Sequence, residues 1–297
     1  MRDFFSGTKE RDYIISLEGF QDKTISAGES VAFAPFLSKA RIAFIDSGFQ
    51  EITEGIFLVK IFSGIWQENK KIKTYHSEFF FKASDGRTNI QDNEDKEFTD
   101  AIVEGINKEN LAESIEAGAI SFLLERLESG DVIVRDGSLD SPIFRKLMDE
   151  SRKKQILLMG LSKSSSISTK SGELATDLIL EQNDLNSKES AWYLRAFSDD
   201  YKDIVFAKLN PLSRFCFRLD IAKIPGLDMK HAVEIIASNA IDPTFIGYPY
   251  GLVDCDMNAR VTNEECDFHH LKINMEFGLN LRKKREDSHF VLDNMKF

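Results

Sequence analysis

Two aspartates each close a short apolar run: Asp46 in Arg41-Ile-Ala-Phe-Ile-Asp-Ser-Gly48 and Asp136 in Asp131-Val-Ile-Val-Arg-Asp-Gly-Ser-Leu139. A carboxylate that ends an apolar, β-branched strand and precedes a glycine turn is held on a rigid edge, where it can face a ligand. Either motif alone matches an ordinary strand-terminating Asp–Gly turn. Brought side by side from different strands, the two could share a metal ion.

The segments between them have an order. After Asp46 come the strand-like runs 55–66 and 71–81, joined by the polar Gln67-Glu-Asn-Lys70, a hairpin pattern. An acidic loop is expected from Ser84 to Asp100. A helix is expected from Glu109 to Glu128, with Ala112, Ile115, Ala119, Phe122, Leu123 and Leu127 at helical spacing. The strand bearing Asp136 follows, then a helix over about 141–154 and a strand over 155–161. Three strands, helix, strand, helix, strand is the order of a ribonuclease H-like fold, α/β with a mixed sheet flanked by helices. In that fold the first and fourth strands are neighbours, so Asp46 and Asp136 would be adjacent.

Composition sets outer limits. The chain has 297 residues, 42% of them hydrophobic, enough to bury a substantial core. No apolar stretch approaches a membrane span, and Met1-Arg-Asp-Phe-Phe-Ser-Gly7 lacks the apolar core of a signal peptide, so a cytoplasmic protein is expected. Cys216, Cys255 and Cys266 fit neither a disulfide framework nor a zinc cage and read as reduced, buried residues. The net charge of −11 argues against a simple nucleic-acid binder, whose surface must be cationic. Local basic runs remain, at Lys70, Lys71 and Lys73, at Arg152 to Lys154, and at Arg282 to Arg285.

Further on, Ser162 to Gly172 reads as a polar loop, and Ile204–Leu209 with Phe215–Ile221 as a strand pair. Helices are expected from Met229 to Ala240 and again after Gly247-Tyr-Pro-Tyr250, with Pro249 at a first helical position. No internal repeat or long linker divides the chain. The expected organisation is one domain, 1–297, with a core over about 41–262, an N-terminal extension 1–40 and a helical tail 263–297.

Five segments occur in an order and spacing that resembles the NurA nuclease family: Ile45-Asp-Ser-Gly48, Arg135-Asp-Gly-Ser-Leu139, Gly160-Leu-Ser-Lys163, Lys208-Leu-Asn-Pro211 with Phe217-Arg-Leu-Asp220, and Gly247-Tyr-Pro-Tyr-Gly-Leu252. The likeness runs from about Arg41 to Val261. It implies a ribonuclease H-like, manganese- or magnesium-dependent nuclease. Such proteins form ring-shaped homodimers and degrade DNA from the 5′ end. They act with the hexameric HerA translocase in DNA end resection, beside the Mre11 and Rad50 proteins.

The resemblance places the family's catalytic aspartates on Asp46 and Asp136. It also implies a glutamate on the helix before the second aspartate, for which Glu113 and Glu116 compete. Glu116 shares the face of Ala112, Ala119, Ile120 and Leu123 and is chosen, because a glutamate on an apolar face must be paired or metal-bound. Tyr248 matches the family's tyrosine. The family's histidine falls on Asp256, an oxygen donor that also suits magnesium or manganese, with Asp254 the alternative if the helix register differs. Lys163, in the Gly-x-Ser-Lys turn, would contact a phosphate. His76, His231, His269, His270 and His289 lack ligand-like arrangements.

The chemistry this implies is two-metal phosphodiester hydrolysis, with two ions about 4 Å apart. Asp46 would bridge them, Asp136 and Glu116 would hold one each, and Asp256 would complete the set. Two alternatives stand beside the DNA nuclease: a non-catalytic adaptor of a translocase in which Asp256 marks a decayed site, and an enzyme of the same fold acting on RNA.

Overall fold

The computed structural model describes residues 13–277 apart from 18–19, 26–28, 36, 85, 91–94, 164–166, 170–173 and 188–189. The Arg282–Arg285 run and His289 lie outside the described residues. So do parts of the loops over 84–100 and 162–172 and of the tail over 263–297.

The strands are β1 (Tyr13–Ser16), β2 (Lys23–Ile25), β3 (Val31–Phe33), β4 (Ile42–Thr53), β5 (Ile56–Gln67), β6 (Lys70–Lys82), β7 (Arg87–Ile90), β8 (Val132–Asp136), β9 (Leu157–Ser162), β10 (Ser168–Thr169), β11 (Ala191–Ser198), β12 (Lys202–Lys208) and β13 (Phe217–Ala222). The helices are α1 (Lys96–Glu104), α2 (Leu111–Leu124), α3 (Ile143–Lys154), α4 (Ala175–Ser187), α5 (Met229–Ala237), α6 (Tyr250–Ala259) and α7 (Asn263–Phe277). Ten strands form one mixed sheet in the order β3-β11-β12-β13-β9-β8-β4-β5-β6-β7, and β10-β1-β2 form a second, small sheet.

The β5–β6 hairpin turns at Glu68 and Asn69, with φ of 48° and 60°. Two consecutive positive φ values are what a two-residue loop needs to match the twist of its flanking strands. The expected pairing of the first and fourth strands of the core is present: β4 runs parallel to β8, with Ile42 opposite Val132 and Ile45 opposite Arg135. Both strands are apolar on both faces up to this point because helices cover the sheet on each side. On one face α1, α2 and α3 pack against Ala43, Ile45, Ile133 and Leu158. On the other, α5 and α6 pack against Phe44, Val132, Val134 and Leu219.

Several segments depart from the sequence reading. The expected acidic loop over 84–100 contains β7 and the start of α1, which buries Phe98 and Ile102. Helix α4 and strand β11 appear where neither was expected, and β3, from the segment before residue 41, joins the large sheet beside β11. Pro249 occupies the N-cap of α6 rather than its first helical turn. The three cysteines are free and buried, as expected. Among the described residues no helix is long and apolar enough to cross a membrane.

Candidate functional site

The parallel register that ends at Ile45–Arg135 puts Asp46 and Asp136 next in line on adjacent strands. Side chains alternate along a strand, so Asp46 follows Phe44 and Asp136 follows Val134 onto the α6 face. Helix α6 approaches β4 very closely there. A Cβ added at Gly251 would collide with the Phe44 ring, and one at Gly48 with the Ala259 carbonyl. Glycine at both positions is what allows the helix end to descend onto the strand. Asp256, Ala259 and Arg260 thereby line a cleft of about 230 Å³ together with Asp46, Ser47, Gly48 and Phe49.

Around Asp136 the partners are closer. Lys163, just past the end of β9, places Nζ 2.6 Å from Asp136 Oδ2, and the Tyr248 hydroxyl donates to the same oxygen at 3.3 Å. Lys163 also lies 5.2 Å from the centre of the Tyr248 ring. Burial opposes the lysine charge, but the hydrogen bond and charge of Asp136, with Asp256 and Asp46, outweigh it and raise the Lys163 pKa. Burial and the same carboxylates push the Tyr248 phenol well above its usual range, so it stays protonated and a donor.

Asp46 is less well compensated. Its Oδ1 accepts the Ser47 N–H at 2.8 Å, and among the described residues no lysine or arginine pairs with it. Burial, then the charges of Asp136, Glu116 and Asp256, push its carboxyl from the ordinary 3.8 to about 7.

Glu116 is only 4% exposed and lies on the opposite, α2 face of the sheet. It accepts the Ser47 hydroxyl at 2.7 Å and Arg135 Nε at 2.6 Å. Burial raises its pKa against the lowering effects of Arg135 and Ser47. Apolar-face placement therefore separates it from the partly exposed Glu113, and the partner such a glutamate requires is Arg135. Arg135 carried no weight in the sequence reading. Its guanidinium also stacks 4.5 Å from the Phe144 ring centre and donates to the Ser138 carbonyl, which ties down the turn after Asp136. The only signal was its alternation with Val134 and Asp136, which points it to the helix face that holds Glu116.

Of the two α6 candidates, Asp256 shares the cleft with Asp46 and pairs with Arg260 at 2.9 Å. Asp254 instead binds Lys71 of the hairpin at 2.9 Å. Parts of two basic runs are tied down: Arg152 and Lys154 donate to backbone carbonyls, and the exposed Lys73 sits 4.6 Å from the centre of the Tyr75 ring. His76 and His269 lie away from the cleft, 3.7 Å from Asp95 and 3.9 Å from Glu78.

The structure thus brings together Asp46, Asp136, Tyr248, Lys163 and Asp256, with Glu116 behind the strand. No group of three or more His, Cys, Asp or Glu side chains poised to hold a metal occurs among the described residues. The donor set nevertheless fits a hard divalent cation: two adjacent carboxylates, one lacking a cationic partner, in a setting that disfavours their joint ionisation.

The sequence matches no protein-family model and no curated protein. By structure the chain is similar to the NurA nuclease from Sulfolobus solfataricus, with a TM-score of 0.54 at 15% identity over 86% of this chain and 89% of that one. Fainter likenesses are to human ENDOV, TM-score 0.43 at 11% identity over 80% of this chain and 86% of that one, and to Aquifex aeolicus Argonaute, TM-score 0.39 at 12% identity over 75% and 28%. The mixed sheet, the β4–β8 pairing and the first of these likenesses make this a ribonuclease H-like fold, similar to that of the NurA nuclease.

Proposed function

We propose that the chain is a divalent-metal-dependent nuclease that hydrolyses DNA phosphodiesters. The observation that carries the reading is the parallel β4–β8 register, which sets Asp46 beside Asp136 at the edge of a cleft. Asp46 and Asp136 would hold the cation, manganese or magnesium, with Asp256 next to them. When bound, the cation supplies charge neutralisation and an activated water.

The chain's own groups account for the rest. Lys163, held at Asp136 by a hydrogen bond and by charge with half its side chain exposed, would be the cation that meets a substrate phosphate. Tyr248 stays a neutral donor over the Asp136 oxygen and fixes that carboxylate's orientation. Glu116, through Ser47 and Arg135, fixes the backbone on which both aspartates sit. Water attacks phosphorus as the bond to the 3′ oxygen breaks; a site carboxylate takes the water proton, and the departing 3′ oxygen takes a proton from solvent. On the same reading the enzyme works from 5′ ends, with some single-strand endonuclease activity, as a homodimer in the cytoplasm. Its role is end resection with a HerA-type ATPase, beside Mre11 and Rad50.

A second reading has specific support. Glu116 is occupied by Arg135 and Asp136 by Lys163, so the arrangement also suits a catalytically silent adaptor of a translocase. Cleavage of 5′- and 3′-labelled single- and double-stranded DNA, and of matched RNA, with manganese, magnesium or EDTA separates the two. Metal-dependent DNA cutting that disappears in Asp46→Asn supports the nuclease. Absence of cutting by folded wild type with either metal supports the adaptor.

A further inference from the structure

The loop between β12 and β13 carries an exposed ring on the approach to the carboxylates. Phe215 is 63% exposed and Leu212 76%, and Arg214 between them is exposed and, among the described residues, in no ion pair. These side chains project from a loop that is otherwise pinned. Ser213 and Cys216 are buried, the Ser213 hydroxyl accepts the Phe215 N–H at 3.1 Å, and the Leu212 N–H donates to Asn210 Oδ1 at 3.0 Å. Asn210 Nδ2 in turn donates to the Ala240 carbonyl at 3.2 Å, and Gly247 lies so close to Ser213 that an added Cβ would fall 2.2 Å from its Oγ. The loop is thus clamped to the segment that bears Tyr248.

From Phe215 a ladder of rings leads to the site on one face of the sheet. Phe215 and Phe217 are 6.3 Å apart between ring centres, and Phe217 and Tyr248 are 5.3 Å apart. Phe217 and Tyr248 both pack on the α5 and α6 side, the side that Asp46 and Asp136 face, and Tyr248 donates to Asp136. The antiparallel β13–β9 register, with Arg218 opposite Ser162, brings Lys163 abreast of Phe217. A duplex hides its base faces, and a phosphate-only binder has no use for an exposed ring. A single strand exposes both bases and phosphates, and an aromatic platform next to cations is what such a strand binds. In a chain of net charge −11, Arg214 and Lys163 are the local positive charge such a ligand needs.

We infer that Phe215 is a stacking platform for one base of single-stranded DNA close to the bond that is cut, with Arg214 and Lys163 meeting the neighbouring phosphates. This rests on the nuclease reading for the choice of DNA, but the platform itself can be tested without catalysis.

The experiment is fluorescence anisotropy in EDTA with the full-length chain and labelled oligo-dT, the same strand with abasic sites, and a blunt duplex. Phe215→Leu should weaken oligo-dT binding about 10-fold, the size of one lost base–aromatic stack, and Phe215→Trp should keep wild-type affinity. On the abasic strand and on the duplex, Phe215→Leu and wild type should bind alike. Phe268→Leu, which removes an equally exposed ring on α7, should change nothing. Arg214→Gln should flatten the log–log salt dependence of oligo-dT binding by about 0.7, the share of one phosphate contact. Unchanged oligo-dT affinity in Phe215→Leu, or an unchanged salt slope in Arg214→Gln, overturns the proposal. So does equal loss on the abasic strand or the duplex, absence of wild-type binding, or a fall in sedimentation coefficient of Phe215→Leu showing that the ring joins copies of the chain. Cleavage assayed in parallel with manganese keeps the two readings apart. Ring-dependent binding without cutting leaves the platform standing and removes the nuclease, whereas cutting without ring dependence does the reverse.

Discussion

Two charged clusters built from the same residue types lie a few residues apart and behave in opposite ways. In one, Lys202 Nζ contacts Asp140 at 2.6 Å and Asp220 at 2.5 Å, while Arg218 contacts the same two aspartates at 2.7 Å each. Asp220 is fully buried and also accepts the Leu139 N–H at 2.9 Å, so this quartet grips the loop that begins at Asp136. Two acids meet two bases. Burial works against ionisation of Asp140, but the hydrogen bonds and charges of Lys202 and Arg218 hold its carboxyl down at about 2. In the other cluster, Asp46 has carboxylates for neighbours and a carboxyl pushed up to about 7. Charge balance, not residue type, separates a structural brace from a site with room for a cation.

The largest effect comes from unbalancing the brace. Arg218→Met leaves Asp220 buried with only Lys202 as a cationic partner, and breaking a buried pair from one side costs about 3–5 kcal/mol. Urea unfolding at pH 7 should show that loss as a lower midpoint with an unchanged slope. A loss under about 1 kcal/mol would mean the quartet is not the brace described.

Balancing the site should do the reverse. A carboxyl whose folded pKa lies above its unfolded value binds more protons when folded. Its contribution to stability is therefore present below about pH 4 and disappears as pH rises through 7. Asp140, held low, contributes above about pH 4 and loses its contribution as pH falls toward 2. Asp46→Asn should accordingly abolish cleavage yet unfold at higher urea than wild type above pH 7, by roughly 4 kcal/mol at most. Manganese should raise the wild-type midpoint and leave the variant's nearly unchanged. A variant less stable than wild type at pH 8 would contradict the picture of an overcharged Asp46.

The sequence made one side of this contrast legible and hid the other. Asp46 and Asp136 stand out because local chemistry announces them: apolar run, carboxylate, glycine. The element order then supplies their adjacency. The choice of Glu116 over Glu113 follows from helical periodicity. Nothing local marks Lys202, Arg218, Asp140 and Asp220 as partners, because they come from separate segments and their composition is that of any solvated face. Arg135 was passed over for the same reason, since its partner lies 19 positions back on α2. Helix α4 was missed where Asn183, Asp184, Asn186 and Ser187 suggest a turn, and β11 where Ala191 and Ala196 dilute the β-branched signal. Tertiary packing decides those elements.

A smaller effect tests how the two faces are brought to the site. Gly251→Ala forces a methyl into the Phe44 ring and should cost about 1–3 kcal/mol as α6 shifts off β4. It should also weaken manganese binding by moving Asp256 away from Asp46. Retained manganese affinity with lowered stability would show that α6 supports the fold without shaping the site.

The smallest stability effect is expected at Asp256, and there it is most informative. Its pair with Arg260 is exposed, and exposed pairs contribute about 0–1 kcal/mol, so Asp256→Asn should leave the urea midpoint almost unmoved. Its charge nevertheless helps hold the Asp46 carboxyl up. Removing it should move the pH at which Asp46 loses its proton downward, read by carboxyl-region NMR or infrared titration without metal. If Asp256 also faces the cation, manganese affinity falls although a repulsive charge has been removed. Affinity that instead rises would place Asp256 as a neighbour that only repels, leaving Asp46 and Asp136 as the sole carboxylates for the metal. An outcome with neither change would detach Asp256 from the site and leave the helix register as the one part of the comparison to redraw.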